Sequence, residues 1–386
     1  MIKWELSEDQ KMMRDLARQI AEEKIKPVRQ ELDEKGEFPS EIMKVIAESD
    51  LFSVFIPEKY GGLGGSCFDL CLITEELSKV CPAVAVSYAA SALGAFPIIL
   101  FGSEEQKQKY LPPIASGEKL AAFGLTEPNA GSDAGSLETT AVKDGDDYVL
   151  NGNKIFITNG GEAEIYSIIA MTNKSKGARG ASAFIVEKGT DGFTFGKKED
   201  KLGIRASVTR ELVFEDCRVP AQNLIKREGM GFIVAMKTFD SSRPGIGAQA
   251  VGTAQGALDE AVNYARGRIQ FGQPISSFQA IRHMIADMAT KIEAARTLVY
   301  RAAGAVDNED KDVSKLSAMA KLYSSDVAME VTTDAVQIFG GYGYMKEYPA
   351  EKFMRDAKIT QIYEGTNQIQ RDIIGLEVIK ESRKNK

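Results

Sequence analysis

The chain has 386 residues, of which 44% are hydrophobic and 27% charged, a balance typical of a soluble globular protein with two or three domains. The net charge is −7 and the isoelectric point is near 5.2, which makes nucleic acid an unexpected partner. Four cysteines and one histidine form no recognisable metal or disulfide pattern. We therefore expect no protein-bound metal and a reducing, cytoplasmic location.

Residues 1–118 carry apolar side chains at helical spacing and are predicted to form an N-terminal helical domain. The first helix is expected to end before Pro27, with Ser7 and Gln10 as its capping box, and a second helix follows Pro39. Further helices are predicted over residues 69–78, 84–93 and 104–111.

Two segments of this region invite other interpretations. The most apolar run, residues 83–101, contains Gly94, Pro97 and many small residues, so it is interpreted as a buried core helix, and no membrane span is predicted. The glycine-rich segment IPEKYGGLGG, residues 56–65, fits no phosphate-binding sequence and is interpreted as a plain turn.

Between residues 119 and 228 the apolar period changes from about 3.6 to about 2, which is typical of strands. Short strands are predicted over residues 147–150, 154–158, 166–172, 181–187 and 211–214. Turns rich in Asp, Asn and Gly are predicted between them, at residues 144–146, 151–153 and 159–161. Because no helices intervene, we expect a small antiparallel barrel or sandwich and not a parallel nucleotide-binding sheet.

Residues 229–386 return to the helical period in long elements, which predicts a helical bundle. The clearest helix spans residues 278–305, and its apolar face consists of Phe278, Ile281, Ile285, Met288, Ile292, Ala295, Val299 and Ala302. Small residues on the same helix permit close packing, including packing between subunits; they are Ala286, Ala289, Ala294, Ala295, Ala302 and Ala303.

A single carboxylate, Glu364, stands out in the segment QIYEGTNQIQ, residues 361–370. It precedes a helical pattern, with Thr366 or Asn367 as the predicted cap, so it lies on a turn where a base can be directed at a ligand. Gly365 permits a close approach of the backbone, and Tyr363 can exclude water. The alternative is that Glu364 only complements the helix dipole.

Two segments of the β region have ligand-binding character. FGLTEPNAGSD, residues 123–133, combines hydroxyls with turn residues whose open amides suit a polar or anionic ligand. KIFITNGG, residues 154–161, places Phe156 and Thr158 on one face of a strand, where a ring system could stack and accept a hydrogen bond. Ordinary core packing of Phe156 is the alternative.

The helical bundle adds three candidate groups. Arg266 and Arg268 lie beside a Gly-Gln-Pro turn, where an arginine fork could bind a pyrophosphate. Asp240 and Arg243 lie three residues apart on a helix and could simply pair with each other. QIFGGYGY, residues 337–344, is either a helix C-cap or a place where a cofactor contacts backbone.

Five segments in this order resemble the acyl-CoA dehydrogenase family of flavoproteins. They are TEPNAGSD (126–133), KIFITNGG (154–161), RIQFGQPISSFQAI (268–281), QIFGGYGYMKEYPAEKFMRDAK (337–358) and QIYEGTNQIQRDI (361–373). The similarity runs over essentially the whole chain. It implies a mainly helical α+β fold: an N-terminal helical domain (1–118), a central antiparallel β-barrel (119–228) and a C-terminal four-helix bundle (229–386). It also implies FAD at their junction and at a subunit interface, in a homotetramer.

The resemblance also implies roles for individual residues. The flavin ring would be held by Phe123, Leu125, Thr126, Gly131, Ser132, Phe156 and Thr158. The pyrophosphate and adenosine end would be bound, from a neighbouring subunit, by Arg268, Phe271, Phe278, Gln279, Gln337, Gly340 and Gly341. Thr366 and Gln368 would meet the adenine half. The acyl-CoA channel would be lined by Ser132, Asp240, Arg243, Tyr363 and Gly365.

By the same resemblance, Glu364 is the catalytic base. It would remove the α-proton of an acyl-CoA thioester while a hydride leaves the β-carbon for the flavin, and burial should raise its pKa toward the working pH. Ser242 occupies a position where some branched-chain members carry the base, which favours Glu364 as the sole base. The thioester carbonyl would be polarised by the backbone N–H of the base and a ribityl hydroxyl.

Substrate class is indicated less directly. Val84 stands where glutaryl-type members carry an arginine, so a dicarboxyl-CoA is not expected. Tyr88 could shorten the acyl tunnel, and small neighbours could widen it, which favours short, branched or cyclic acyl groups. The expected electron acceptor is an electron-transferring flavoprotein. Two alternatives stay open: an acyl-CoA oxidase that uses oxygen, and a non-catalytic scaffold that binds CoA or flavin.

Overall fold

Helices fill most of the N-terminal region of the computed structural model, which describes residues 6–384. They are α1 (Glu8–Ile20), α2 (Arg29–Lys35), α3 (Ser40–Glu48), α4 (Cys67–Ser78), α5 (Pro82–Phe101) and α6 (Glu104–Ala115). The predicted capping box of Ser7 and Gln10 is present, and Ser66 and Ser103 form equivalent boxes at α4 and α6. Helix α2 was not predicted, because its sequence RQELDEK has almost no apolar residue to reveal a period.

Helix α5 is the apolar centre of this region. It is long and apolar enough to cross a membrane, but 72% of its most apolar window is buried inside the protein. The prediction of a buried core helix is therefore confirmed. The segment 56–65 contains only a short 3-10 turn, Glu58–Tyr60, as its interpretation as a turn required.

Eight strands form the central sheet: β1 (Ala121–Gly124), β2 (Thr140–Asp144), β3 (Asp147–Thr158), β4 (Ile165–Met171), β5 (Ala181–Glu187), β6 (Phe193–Lys198), β7 (Thr209–Pro220) and β8 (Leu224–Ile225). The order is β6-β7-β3-β2-β4-β5-β8, with β1 beside β4. Most pairs are antiparallel, but β1 and β2 each pair with β4 in parallel. The short pairings of β1 and β2 with β4 are the part that an all-antiparallel prediction missed.

Strand β3 corrects one expectation. Residues 151–153 do not form a turn, because β3 runs without interruption past Gly152, and the register with β7 shifts there and again between Lys154 and Ile157. Gly152 has φ of 135°, and a Cβ at this position would lie 2.7 Å from Thr139. The Asn-Gly-Asn sequence therefore marks a β-bulge and not a hairpin.

The C-terminal region is a bundle of long helices with one small hairpin. Its elements are α7 (Gly231–Gly267), β9 (Ile269–Gln270), β10 (Gln273–Pro274), α8 (Gln279–Asp307), α9 (Val313–Phe339), α10 (Ala350–Ala357) and α11 (Asn367–Lys384). The predicted apolar face of α8 is buried from Met288 to Ala302. Ala295, Ala302 and Ala303 pack inside the bundle, whereas the other predicted small residues, Ala286, Ala289 and Ala294, lie on the exposed side of α8.

Candidate active site

A cavity of about 110 Å³ lies where the three regions of the chain meet. Its lining residues come from the N-terminal helices (Leu70, Val86, Ala89, Ala90, Leu93, Phe96), the sheet (Phe123, Leu125, Thr126, Phe156, Ile157, Thr158), α7 (Phe239, Ser242, Gly245, Ile246) and the turn before α11 (Tyr363, Glu364). Most of these side chains are apolar, and Glu364 is the only ionisable carboxylate among them. The cavity thus combines an apolar wall with one acid.

The sheet presents its residues to the cavity through a bulge in β3. The Ile155 N–H donates a hydrogen bond to the Thr126 carbonyl across 2.9 Å, which joins the end of β1 to β3. Phe156 follows with φ of 60°, and 62% of its surface is exposed. Core packing of Phe156 is therefore excluded. A non-glycine residue held in the left-handed region, with its ring open to a cavity, is typical of a ligand-binding site.

A buried ion pair fixes the same corner from behind. Lys154 and Glu127, both almost fully buried, form an ion pair of 2.5 Å between Nζ and Oε1. Lys154 also donates to the Leu125 carbonyl across 3.1 Å, and Glu127 accepts the Thr139 N–H across 3.1 Å. Burial lowers the pKa of Lys154 to about 8. The residues before and after Thr126 are thus tied to β3.

Glu364 lines the cavity from a strained turn. Its φ is 52° and that of Gly365 is 92°, so two successive residues are left-handed. The Ser242 hydroxyl donates a hydrogen bond of 2.6 Å to Glu364 Oε2. Burial raises the pKa of Glu364 to about 7, and it outweighs the lowering by Ser242, Arg243 and Lys321. A carboxyl group with this pKa can accept a proton near neutral pH.

The backbone of this turn is held by three buried side chains. The Glu364 carbonyl accepts hydrogen bonds from Arg243 Nε (3.2 Å) and Gln370 Nε2 (3.1 Å). The Gly365 carbonyl accepts from Lys321 Nζ (2.9 Å) and Gln370 Nε2 (2.9 Å). Nothing in the sequence marks Lys321 as functional, because it stands in no motif, and Gln370 is only the last residue of the segment QIYEGTNQIQ.

The cap of α11 also follows from the contacts. Thr366 Oγ1 accepts the Ile369 N–H across 3.4 Å, so Thr366 takes the capping position. Asn367 instead bonds to Lys321, Ser325 and Asp326 through its side chain. Gln368, on the first turn of α11, is exposed to solvent.

Five residues predicted to contact the flavin ring or the acyl-CoA channel do not line the cavity: Gly131, Ser132, Asp240, Arg243 and Gly365. Asp240 and Arg243 are buried on α7 and form an ion pair of 3.7 Å, and Arg243 reaches the backbone of Glu364. Gly131 and Ser132 lie exposed on the loop after β1. Tyr363 does line the cavity, and its hydroxyl bonds to Gln249.

A second group of predicted residues lies on a separate groove. Arg268 and the glycines Gly340 and Gly341 line it together, and the Arg268 guanidinium lies 5.4 Å from the centre of the Tyr342 ring. Next to Arg268, the β9–β10 turn presents Phe271, which is 93% exposed and packs edge-to-face on Phe278 at 5.9 Å. Gln279 and Gln337 are also exposed. This groove shares no lining residue with the cavity.

The histidine and the cysteines do not line the cavity. His283 is exposed on α8, and Cys71, Cys81 and Cys217 are buried free thiols. Within residues 6–384 no cluster of His, Cys, Asp and Glu side chains could hold a metal ion.

Comparison with known proteins decides the family. Profiles of the acyl-CoA dehydrogenase N-terminal, middle and C-terminal domains match residues 7–118, 122–217 and 229–379. The chain belongs to the acyl-CoA dehydrogenase family. It is therefore an FAD-dependent oxidoreductase by family, and the mainly helical fold with a central sheet predicted from the resemblance is confirmed.

Relatives of this acyl-CoA dehydrogenase cover almost its entire length. The short-chain specific acyl-CoA dehydrogenase of Clostridium acetobutylicum is 50% identical over 97% of this chain and 99% of its own. The butyryl-CoA dehydrogenase structure from Megasphaera elsdenii is 49% identical, covers 98% and 100% of the two chains, and has a TM-score of 0.96. A chain in a structure of the electron transferring flavoprotein of Acidaminococcus fermentans is 53% identical, covers 98% and 99%, and has a TM-score of 0.96.

The surfaces of this acyl-CoA dehydrogenase fit FAD, the cofactor of its family. Phe156 exposes an aromatic ring beside Thr126 and Thr158 in the cavity, which suits a flat ring with polar edges. A Cβ added at Gly340 or Gly341 would meet no atom within 4 Å, so the backbone of the second groove is open to a large ligand. Arg268 supplies a cation there.

Proposed function

We propose that this enzyme dehydrogenates a short-chain acyl-CoA to the 2,3-enoyl-CoA, with Glu364 as the base that removes the α-proton. The observation that carries the proposal is the position of Glu364: its carboxylate lies at an apolar cavity, is held by Ser242, and has a pKa raised to about 7. One properly placed carboxylate with this pKa is sufficient for the proton transfer.

The chain's own residues account for binding and proton removal. The C2–H bond breaks as Glu364 takes the proton, and the electron pair left on C2 forms the C2–C3 double bond as C3 loses a hydride. FAD, when bound, accepts that hydride with its two electrons. The backbone N–H of Glu364 has no acceptor among the described residues and is available to polarise the thioester carbonyl. Tyr363 and the apolar wall exclude water.

Two surfaces would hold the cofactor. In the cavity the proposed flavin contacts are Phe123, Leu125, Thr126, Phe156 and Thr158, with Gly131 and Ser132 on the adjoining loop. In the separate groove the proposed contacts are Arg268, Gly340 and Gly341. Outside its lining the proposed contacts are Phe271, Phe278, Gln279 and Gln337, while Thr366 and Gln368 would meet the adenine half. Because the groove shares no lining residue with the cavity, we propose that it serves a neighbouring subunit of a homotetramer.

The apolar end of the cavity supports a short acyl group. Leu70, Ala89, Ala90, Leu93 and Phe96 line it, and we propose that their side chains limit the length of the acyl group. Tyr88 does not set this length, because its buried hydroxyl donates to the Leu51 carbonyl outside the cavity lining. Val84 is likewise buried in the core. The similarity to short-chain and butyryl-CoA dehydrogenases supports the same substrate class.

The proposal also covers the residues near CoA and the electron acceptor. Arg243 bonds to the backbone of Glu364 and pairs with Asp240. These two residues are proposed to shape the entrance from the protein side, together with Gly365 and Ser132. An electron-transferring flavoprotein is the proposed acceptor. The likeness to the Acidaminococcus fermentans chain supports this choice over oxygen.

Anaerobic titration of the FAD-loaded protein tests the function. Linear, branched and cyclic short acyl-CoAs are added in turn, and loss of the oxidised flavin absorbance is followed. We expect bleaching by at least one short acyl-CoA, and reoxidation of the bleached enzyme by an electron-transferring flavoprotein faster than by oxygen. A yellow protein that none of them bleaches would refute the proposal, and faster reoxidation by oxygen would favour an oxidase.

A further inference from the structure

Lys321, in the middle of α9, is a buried amine that the proposed mechanism does not use. None of its surface is exposed. Its Nζ lies 2.9 Å from the Gly365 carbonyl oxygen and 2.8 Å from Asn367 Oδ1. Among the described residues it has no carboxylate within 4.0 Å, so its hydrogen bonds are what offset its burial. Burial lowers its pKa to about 7.

Both oxygens bound by Lys321 belong to the segment that carries Glu364. The Gly365 carbonyl and the Glu364 carbonyl also share one donor, Gln370 Nε2, so two successive carbonyls converge on the same buried polar group. Arg243 Nε is the second donor to the Glu364 carbonyl, so three side chains donate to the backbone of this turn. Lys321, Gln370 and Arg243 come from three different helices, α9, α11 and α7, and meet at this turn.

The direction of the carbonyls fixes the direction of the amides. A trans peptide places its N–H opposite its C=O, and no cis peptide occurs among the described residues. The N–H groups of Gly365 and Thr366 therefore point away from Lys321 and Gln370. No acceptor within the described part of the chain meets the N–H of Glu364, Gly365 or Thr366. In this turn the Glu364 and Gly365 carbonyls accept hydrogen bonds, whereas the three N–H groups donate none within the described residues.

We infer that Lys321 is a positioning residue, which holds the left-handed Glu364–Gly365 turn so that the Glu364 carboxylate and the free amides of the turn face the substrate. The inference rests on the proposed function and deepens it. Without Lys321 the Gly365 carbonyl loses a donor, and two successive residues with φ of 52° and 92° lose a restraint that opposes their strain. The turn would then relax toward conformations in which the carboxylate and the amides are no longer aligned together.

The test uses acetoacetyl-CoA, whose acidic C2 proton can be lost without any transfer of electrons. The FAD-loaded enzyme is mixed with this probe across a pH range, and the ultraviolet absorbance of the bound enolate is recorded. In the unmodified enzyme the ionised form should be favoured, because polarisation of the carbonyl stabilises the enolate. In Lys321→Met we expect affinity for the ionised form to fall about tenfold, equivalent to about one pH unit. With an acyl-CoA substrate, kcat should fall more than KM rises.

Lys352→Met is the matched control. Lys352 is also a buried lysine, on α10, and its ion pair with Asp356 lies outside the cavity and the Glu364 turn. Its substitution should lower thermal stability and leave the enolate titration unchanged. Lys321→Gln is the second variant, because it keeps a donor of reduced length; it should shift the titration in the same direction as Lys321→Met, by less.

The outcomes distinguish a failure of the positioning role of Lys321 from a failure of the proposed function. An unchanged enolate titration in both Lys321 variants, with FAD retained, would overturn the positioning role. An equal shift in Lys352→Met would also overturn it, because the effect would then be one of general stability. Failure of the unmodified enzyme to stabilise the enolate would instead contradict the proposed function itself.

Discussion

The Ser242 hydroxyl donates a hydrogen bond of 2.6 Å to Glu364 Oε2, although the two residues lie 122 positions apart in the chain. A hydroxyl that donates to a carboxylate stabilises the ionised form, so it opposes the raised pKa that burial imposes. Ser242, together with Arg243 and Lys321, therefore lowers the pKa of Glu364 and increases the ionised fraction of the base at neutral pH. From the sequence alone Ser242 indicated only that a second base was absent.

Substitution Ser242→Ala should move the pH dependence of catalysis upward. Glu364 must be ionised to accept a proton, and its pKa is about 7, so kcat/KM should rise as pH increases through 7. Loss of the hydroxyl removes a group that lowers the pKa of Glu364. We therefore expect the midpoint of the rise in kcat/KM to shift up by about one pH unit, with kcat/KM at pH 7 about fivefold lower. Arg243 and Lys321, which also face Glu364, remain in the variant.

The measurement is the pH profile of kcat/KM with a short acyl-CoA. Ser241→Ala is the control, because the Ser241 hydroxyl donates to the Lys237 carbonyl on the same helix and not to Glu364. If the midpoint of the rise in kcat/KM stays at the same pH in Ser242→Ala, or moves to lower pH, the role given to Ser242 is contradicted.

Substitution Leu93→Ala should lengthen the acyl group that the enzyme accepts. Leu93 lines the apolar end of the cavity, and its truncation leaves room for added methylene groups. Each buried methylene contributes about 0.8 kcal/mol, so two should raise the ratio of kcat/KM for hexanoyl-CoA over butyryl-CoA by about tenfold. Leu100→Ala, at the exposed end of the same helix, should leave the ratio unchanged. An equal ratio in both variants would contradict the assignment of Leu93 to the part of the cavity that limits acyl length.

Substitution Lys154→Met should destabilise the protein strongly. It would leave Glu127 buried without its cation, at a cost of about 3–5 kcal/mol. Adding Glu127→Gln should restore much of the loss, since glutamine still accepts the Thr139 N–H without a charge. Thermal unfolding and retention of FAD are the measurements. Lys291→Met, which removes an exposed ion pair with Glu330, should have little effect, and a loss as large as that of Lys154→Met would contradict the account.

The sequence predicted elements well where one period ran without interruption. The burial of α5 and α8, the strands β4 and β5 and the capping box of Ser7 all follow from local patterns. The turn predicted from the Asn-Gly-Asn sequence around Gly152 was wrong, because a glycine with positive φ occurs both in β-bulges and in tight turns.

The candidate site was predictable only in part. Glu364 and Phe156 stand in recognisable segments, and the positive φ that sets both of them apart is visible only in the structure. Ser242, Lys321 and Arg243 reach the Glu364–Gly365 turn across 122, 44 and 121 positions, and their helices carry no local signal of that convergence. Long-range packing of α7, α9 and α11 brings them together.

The Glu364→Gln variant tests whether Glu364 is the base. Glutamine keeps the shape and cannot take a proton, so the variant should retain FAD while anaerobic bleaching by butyryl-CoA slows by about 10²–10⁴-fold. Glu377→Gln should bleach at the unmodified rate, because Glu377 pairs with Lys380 on α11 and does not line the cavity. Bleaching of the FAD-loaded Glu364→Gln enzyme at the unmodified rate would contradict the account and place the proton acceptor elsewhere in the cavity.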